Sequence, residues 1–232
     1  VTPTERLIVA IDEPDVDRAR ALIGRLEGSV ERVKVGMTLY YRAGPGLVRD
    51  LVGRGWKVFV DLKCHDIPHQ VAGAVAVLAD LGAEFLTVHV AGGRGMLAAS
   101  VAAVEGTETK VLGVTALTSL DERALSEVGI AATPQALVLQ RAALAQDAGL
   151  HGVVSSPLEV EALRARVGAR FEIVTPGVRP AGHAADDQRR VATPAAAIRW
   201  GASRLVVGRP ITQSDDPAAA ARRILAEIEA AL

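Results

Sequence analysis

Short β-branched runs recur along the chain, and Ala/Leu/Arg-rich segments with helical spacing lie between them. The runs are "RLIVAID" (6–12), "RVKVG" (32–36), "KVFVDLK" (57–63), "FLTVHV" (85–90), "KVLGVT" (110–115), "GVVSS" (152–156), "FEIVTPG" (171–177) and "RLVVGR" (204–209). Segments such as "DVDRARALIGRLE" and "QALVLQRAALAQDAG" carry the helical period, and several close on a glycine suited to a helix C-terminus. In "ATPAAAIRWGA", Thr193 reads as an N-cap, Pro194 as a first-turn residue and Gly201 as the closing residue before the last strand. Eight strand–helix repeats with almost nothing left over predict an α/β fold, a closed single-domain (β/α)8 TIM barrel spanning residues 1–232, rather than an open doubly wound sheet. The opening "VTPT" reads as a loose start and "AEIEAAL" as a final covering helix.

Composition supports this architecture. Half of the residues are hydrophobic but only 3% are aromatic, so Val, Leu, Ile and Ala must fill the core, as in a parallel sheet covered by helices. A net charge of -1 provides no broad field for nucleic acid or an anionic membrane, and any bound anion must be held by a local cluster. Cys64 is the sole cysteine, which excludes an internal disulfide and fits a reducing compartment. The opening apolar run is short and ends in an acid, unlike a signal peptide, and no apolar segment approaches about 18 residues. The expectation is a cytoplasmic protein without nucleic-acid or membrane partners.

In such barrels, polar residues at the C-terminal ends of strands mark the site. The predicted strands end in Asp12, in Lys34 before Gly36, in Asp61 and Lys63 with Asp66 close behind, and in His89. Further on, "TALTS" follows strand 5, "TPGVRP" ends strand 7, and Gly208 and Arg209 end strand 8. Residues i and i+2 of a strand share a face, so Asp61 and Lys63 point together into the barrel if Val60 and Leu62 face the helices. With Asp66 and Lys34 they would form an alternating network of two ammonium and two carboxylate groups. Such a cluster could be a self-neutralising salt-bridge set. Burying that many ions costs several kcal/mol each, however, and a cost of that size points to function. Arg179, Gln188 and Arg209 make a second, basic cluster near strands 7 and 8, where barrels of this kind hold phosphate.

In order along nearly the whole chain, "LIVAID", "VKVG", "FVDLKCHDIP", "VTALTS", "VTPGVRP", "DDQRR" and "VVGRPITQS" resemble the orotidine 5'-phosphate decarboxylase family. The resemblance implies loss of CO2 from orotidine 5'-phosphate to give UMP, in de novo pyrimidine biosynthesis, with no metal or organic cofactor. It implies that Asp61 lies against the departing carboxylate and that Lys63 protonates C6, within a network completed by Asp66 and Lys34. Asp12 and Lys34 would meet the ribose hydroxyls, Thr118 and Ser119 the pyrimidine edge, and Pro176 the pocket wall. Arg179, Gln188, Arg209 and the Gly208 backbone would hold the phosphate, under a lid from Val178 to Arg190. The family pattern also implies a homodimer in which Asp66 and Ile67 reach the neighbouring subunit's site. Where that pattern continues "DIPNT", this chain has His69 and Gln70, so Gln70 stands in for a threonine that contacts substrate across the dimer.

Other features read more plainly. His65 is expected to be structural, His89 either a site residue or a satisfied core histidine, His151 a pre-strand residue and His183 part of the lid. Scattered histidines and one cysteine form no zinc set, although Asp and Glu residues could bind Mg2+. "AGGRG" (91–95) lacks dinucleotide-fingerprint spacing and reads as a barrel turn. Two alternatives stay open. One is a Mg2+-dependent sugar-phosphate decarboxylase or aldolase of the same barrel superfamily, which resembles this chain at Asp61, Lys63 and Asp66 but carries an acid where Lys34 stands. The other is a nucleotide-phosphate binder that has lost the chemistry.

Overall fold

The computed structural model describes residues 2–180 and 192–232. Eight parallel strands close on themselves in sequential order: β1 (Leu7–Ile11), β2 (Arg32–Gly36), β3 (Lys57–Cys64), β4 (Phe85–His89), β5 (Lys110–Val114), β6 (Gly152–Val154), β7 (Glu172–Thr175) and β8 (Arg204–Val207). The ladder is completed by β8 against β1, with Leu7 opposite Leu205 and Val9 opposite Val207. This is the (β/α)8 barrel expected from the eight apolar runs. Several strands are shorter than those runs because their final residues turn to other tasks. Ser155 and Ser156 leave β6, and the Ser156 hydroxyl accepts the Leu158 amide to start a 3-10 turn. Pro176 has no N–H to continue β7, and Gly208 opens the short helix Arg209–Thr212.

Alternation along the strands sorts the apolar residues into two cores. Leu7, Val9, Val33, Val35, Val58, Val60 and their counterparts pack outward against the helices. Ile8, Ala10, Phe59, Phe85, Leu112, Val174 and Val206 fill the barrel itself. Phe59 and Phe85 meet edge to face at 5.9 Å between centroids, which forms the floor of the upper barrel. Below them the Arg204 guanidinium lies 5.1 Å from the Phe85 centroid and pairs with Glu172 at 3.4 Å, while Arg32 pairs with Glu84 at 3.0 Å. The N-terminal end is thus closed by stacked, paired side chains.

Side-chain caps start many of the helices. Asp15 accepts the Arg18 amide at 2.9 Å to begin Val16–Leu26, and Thr193 accepts the Ala196 amide at 3.2 Å to begin Pro194–Arg199, as its sequence suggests. The helix Pro217–Glu229 covers the end of the chain. The expected loose start is corrected. Thr2 and Glu5 form a reciprocal capping box around the helical turn Pro3–Arg6, with the Thr2 amide donating to Glu5 at 2.7 Å. Among the described residues, no helix is long and apolar enough to cross a membrane.

One glycine is required by close approach of neighbouring strands. A Cβ at Gly152 would lie 2.4 Å from both the Cβ and the carbonyl oxygen of Glu172 on β7. Gly152→Ala is therefore expected to destabilise the barrel by about 1–3 kcal/mol, lowering Tm by roughly 3–10 °C in thermal unfolding followed by circular dichroism.

Candidate functional site

The C-terminal ends of the strands enclose a cavity of about 720 Å³. Its floor is apolar, built from Ala10, Phe59, Val114, Val154 and Val206, and its wall is charged. At the centre of the charged wall is Asp61, whose side chain is only 12% exposed. Lys63 Nζ donates to both Asp61 carboxylate oxygens at 2.9 Å. Lys34 Nζ lies 3.5 Å from Asp61 Oδ2 and donates to Asp12 Oδ1 at 3.2 Å. A Cβ at Gly36 would come within 3.1 Å of Lys34 Nζ and 3.3 Å of Asp12 Oδ1, so the glycine leaves room for that pair.

Burial pushes the Asp61 carboxyl up, but Lys34, Lys63 and a hydrogen bond from Thr87 together outweigh it and hold the group below the usual carboxylate range. Asp61 is thus ionised at neutral pH. His89, half-buried at the end of β4 with its ring 5.4 Å from that of His65, is pushed down by burial and by nearby His65, Lys63 and Arg141, which favours the neutral imidazole. Burial raises the Cys64 thiol.

Simple alternation along β3 does not account for Lys63. Val60 pairs with Leu86 and Cys64 with Val88, so β3 carries extra residues between these pairs. Within this bulge Lys63 takes φ of +54°, and it is the one non-glycine residue with positive φ among those described. A left-handed conformation costs a lysine about 1–2 kcal/mol, and at a site it aims a side chain that a regular strand would not.

Of the residues expected at the site, Asp12, Lys34, Asp61, Lys63, Thr118, Pro176, Arg179, Gly208 and Arg209 all line the cavity. Arg179 is buried there, and its amide donates to Ala192 O at 2.9 Å, tying the two described edges of the loop after β7 together. Ser119 is exposed and lies outside the lining, because the turn after β5 presents Leu117 and Thr118 instead. Asp66 does not join the network within one chain. It is exposed, its carboxylate accepts the Ile67 amide at 2.6 Å, and it makes no ion pair among the described residues. Ile67 and Gln70 are likewise exposed and outside the lining. Gln188, His183 and most of the expected lid lie outside the described residues. His151 accepts the Val111 amide through Nδ1 at 3.1 Å, a structural role before β6.

Sequence reasoning missed Thr87, which is buried and donates to Asp61 Oδ1 at 2.9 Å. The signal was present, because Phe85, Thr87 and His89 alternate along "FLTVHV" and share the inner face. It also missed Glu13 and Arg18, paired at 3.2 Å, and Thr212 and Gln213 at the cavity rim. Glu13 and Arg18 carry no pattern that separates them from surface residues, whereas Thr212 and Gln213 stand in the same "VVGRPITQS" run as Gly208 and Arg209.

A family model described as "Orotidine 5'-phosphate decarboxylase / HUMPS family" matches residues 5–224. A protein of Halorhodospira halophila named orotidine 5'-phosphate decarboxylase is 54% identical over 228 residues, 97% of each chain. One of the same name from Moorella thermoacetica is 51% identical over 97% of this chain and 92% of its own. The crystal structure of orotidine 5'-phosphate decarboxylase from Lactobacillus acidophilus superposes with a TM-score of 0.86 at 38% identity, covering 97% of this chain and 99% of that one.

The lysine grip on Asp61 predicts a pH dependence. A carboxyl whose folded pKa is depressed adds stability above its unfolded pKa and loses it as pH falls toward the folded value. The native chain should exceed Asp61→Asn in Tm at neutral pH, and that gap should shrink on acidification below about pH 4. A gap that is the same at neutral and acid pH would show that the lysines do not hold Asp61 ionised.

Proposed function

This chain belongs to the orotidine 5'-phosphate decarboxylase / HUMPS family and is a carboxy-lyase of it, and we propose that it converts orotidine 5'-phosphate to UMP using only the charges of its own side chains. The observation that carries the mechanism is the array in which two ammonium groups hold one buried carboxylate at the cavity wall.

In this reading the ring carboxylate of the substrate lies beside Asp61, where like charge disfavours it. The C6–carboxylate bond breaks, CO2 leaves neutral, and the electron pair stays on C6. Lys63 faces that carbon as a cation, stabilises the developing charge and passes it a proton. The resulting amine regains its proton from solvent. Lys34 keeps the array in balance and, with Asp12, meets the ribose. Thr118 and Ser119 serve the pyrimidine edge, and Pro176 the wall. Arg179, Gln188, Arg209 and the Gly208 backbone take the phosphate, whose binding energy holds the ring in register with Lys63. Residues 1–232 act as one catalytic barrel, and cytoplasmic residence without nucleic-acid partners belongs to the same proposal.

A homodimer completes the site. The run His65–Gln70 is exposed, Ile67 is 63% exposed, and Met37 and Tyr41 beyond the end of neighbouring β2 are exposed as well. Apolar surface next to a charged mouth supports a second copy packing there, with Asp66, Ile67 and Gln70 delivered to the partner's cavity.

Lys34 weighs against the metal-dependent alternative. Its ammonium lies between the Asp12 and Asp61 carboxylates, with Lys63 close by, so a divalent cation at those oxygens would face two positive neighbours.

Turnover is followed as the fall in substrate absorbance with EDTA present. The native chain should turn over and Lys63→Ala should lose about 10³-fold or more in kcat. A well-folded native chain inactive on orotidine 5'-phosphate but active on a sugar phosphate with Mg2+ would move the assignment to the metal-dependent enzymes. Sedimentation should give a dimer, and Ile67→Glu should shift it toward monomer with loss of turnover.

A further inference from the structure

The bulge in β3 poses a backbone question as well as a side-chain one. Between Val60 and Cys64 the ladder with β4 is interrupted, so the Lys63 amide has no regular strand partner there. The hydroxyl of Thr87 takes its place and accepts the Lys63 N–H at 2.9 Å. The same oxygen donates its own proton to Asp61 Oδ1 at 2.9 Å. Thr87 is 1% exposed, so neither bond is shared with bulk solvent.

We infer that Thr87 is a positioning residue for the reaction: one hydroxyl fixes both the left-handed backbone that aims Lys63 and the carboxylate that Lys63 faces. The geometry is demanding. A hydroxyl has one proton, and here Asp61 takes it, leaving a lone pair for the lysine amide. The arrangement therefore requires Asp61 Oδ1 to accept, and the ionised carboxylate, the state that the two lysines also favour, accepts at either oxygen. A neutral Asp61 could present a competing donor to Thr87 and loosen the amide contact. The side chain of Thr87 does not line the cavity, so it acts through Lys63 and Asp61 rather than on the substrate. Valine keeps the shape and loses both bonds, while serine keeps both bonds and loses the methyl group.

This inference rests on the decarboxylase reading, and its test separates the two. Native chain, Thr87→Val and Thr87→Ser are compared for kcat and KM on orotidine 5'-phosphate across pH. For Thr87→Val, kcat should fall by about 10–100-fold with KM within about threefold, because the ribose and phosphate contacts are carried by other strands. Thr87→Ser should recover kcat to within about fivefold of native. The acid limb of the kcat profile should move to higher pH in Thr87→Val, since the lost hydrogen bond helps keep Asp61 ionised. Should Thr87→Val fail to fold, Thr87→Ala takes its place with the same expectations. Native-like kcat in the variant, equal losses in valine and serine, or a rise in KM alone would overturn the inference while leaving the decarboxylase reading intact. An inactive native chain would overturn both.

Discussion

Asp61 is held by two lysines at the mouth of a barrel whose middle layer is hydrocarbon, and the upper half of the molecule is arranged around that contact. A buried carboxylate is tolerated because Lys63 reaches both of its oxygens at 2.9 Å and Lys34 approaches at 3.5 Å. Removing Asp61 would leave two ammonium groups without the carboxylate between them, and removing either lysine would leave that carboxylate with one cation in a poorly solvated place. Glycine at position 36, the break in the β3 ladder and a threonine on β4 are local features that each accommodate this group of ions. The barrel supplies the geometry, since four consecutive strands place Asp12, Lys34, Asp61 and Thr87 on one rim.

The fold was legible in the sequence because parallel barrel strands are covered on both faces and stand out as short apolar runs. All eight were visible, and so was the cap at Thr193. What failed at the edges failed for local reasons. Ser155 and Ser156 look like strand residues until the Ser156 hydroxyl takes an amide, and Thr2 looks like part of a loose end until Glu5, three residues on, closes the capping box.

The site was legible to a similar depth. Charged residues at strand ends are conspicuous, and nine of the expected residues line one cavity. Alternation alone would aim Lys63 from a regular strand, whereas a bulge aims it, and no residue type in "DLKCHD" announces that bulge. A threonine within an apolar strand resembles ordinary β-propensity, and the two bonds made by Thr87 emerge only where β3 and β4 lie side by side. Asp66 belongs to the same motif in sequence yet stands away from Lys63 in space. Proximity along the chain says little once a strand has ended.

The stacked arginine beneath Phe85 has a consequence for traffic. With Arg204 paired to Glu172 and Arg32 to Glu84, the lower barrel is filled by side chains and the interior is a blind well rather than a tube. Whatever enters over the charged rim must leave by the same door. A carboxy-lyase built on such a well sends both the small gas and the larger remainder of its substrate through one doorway.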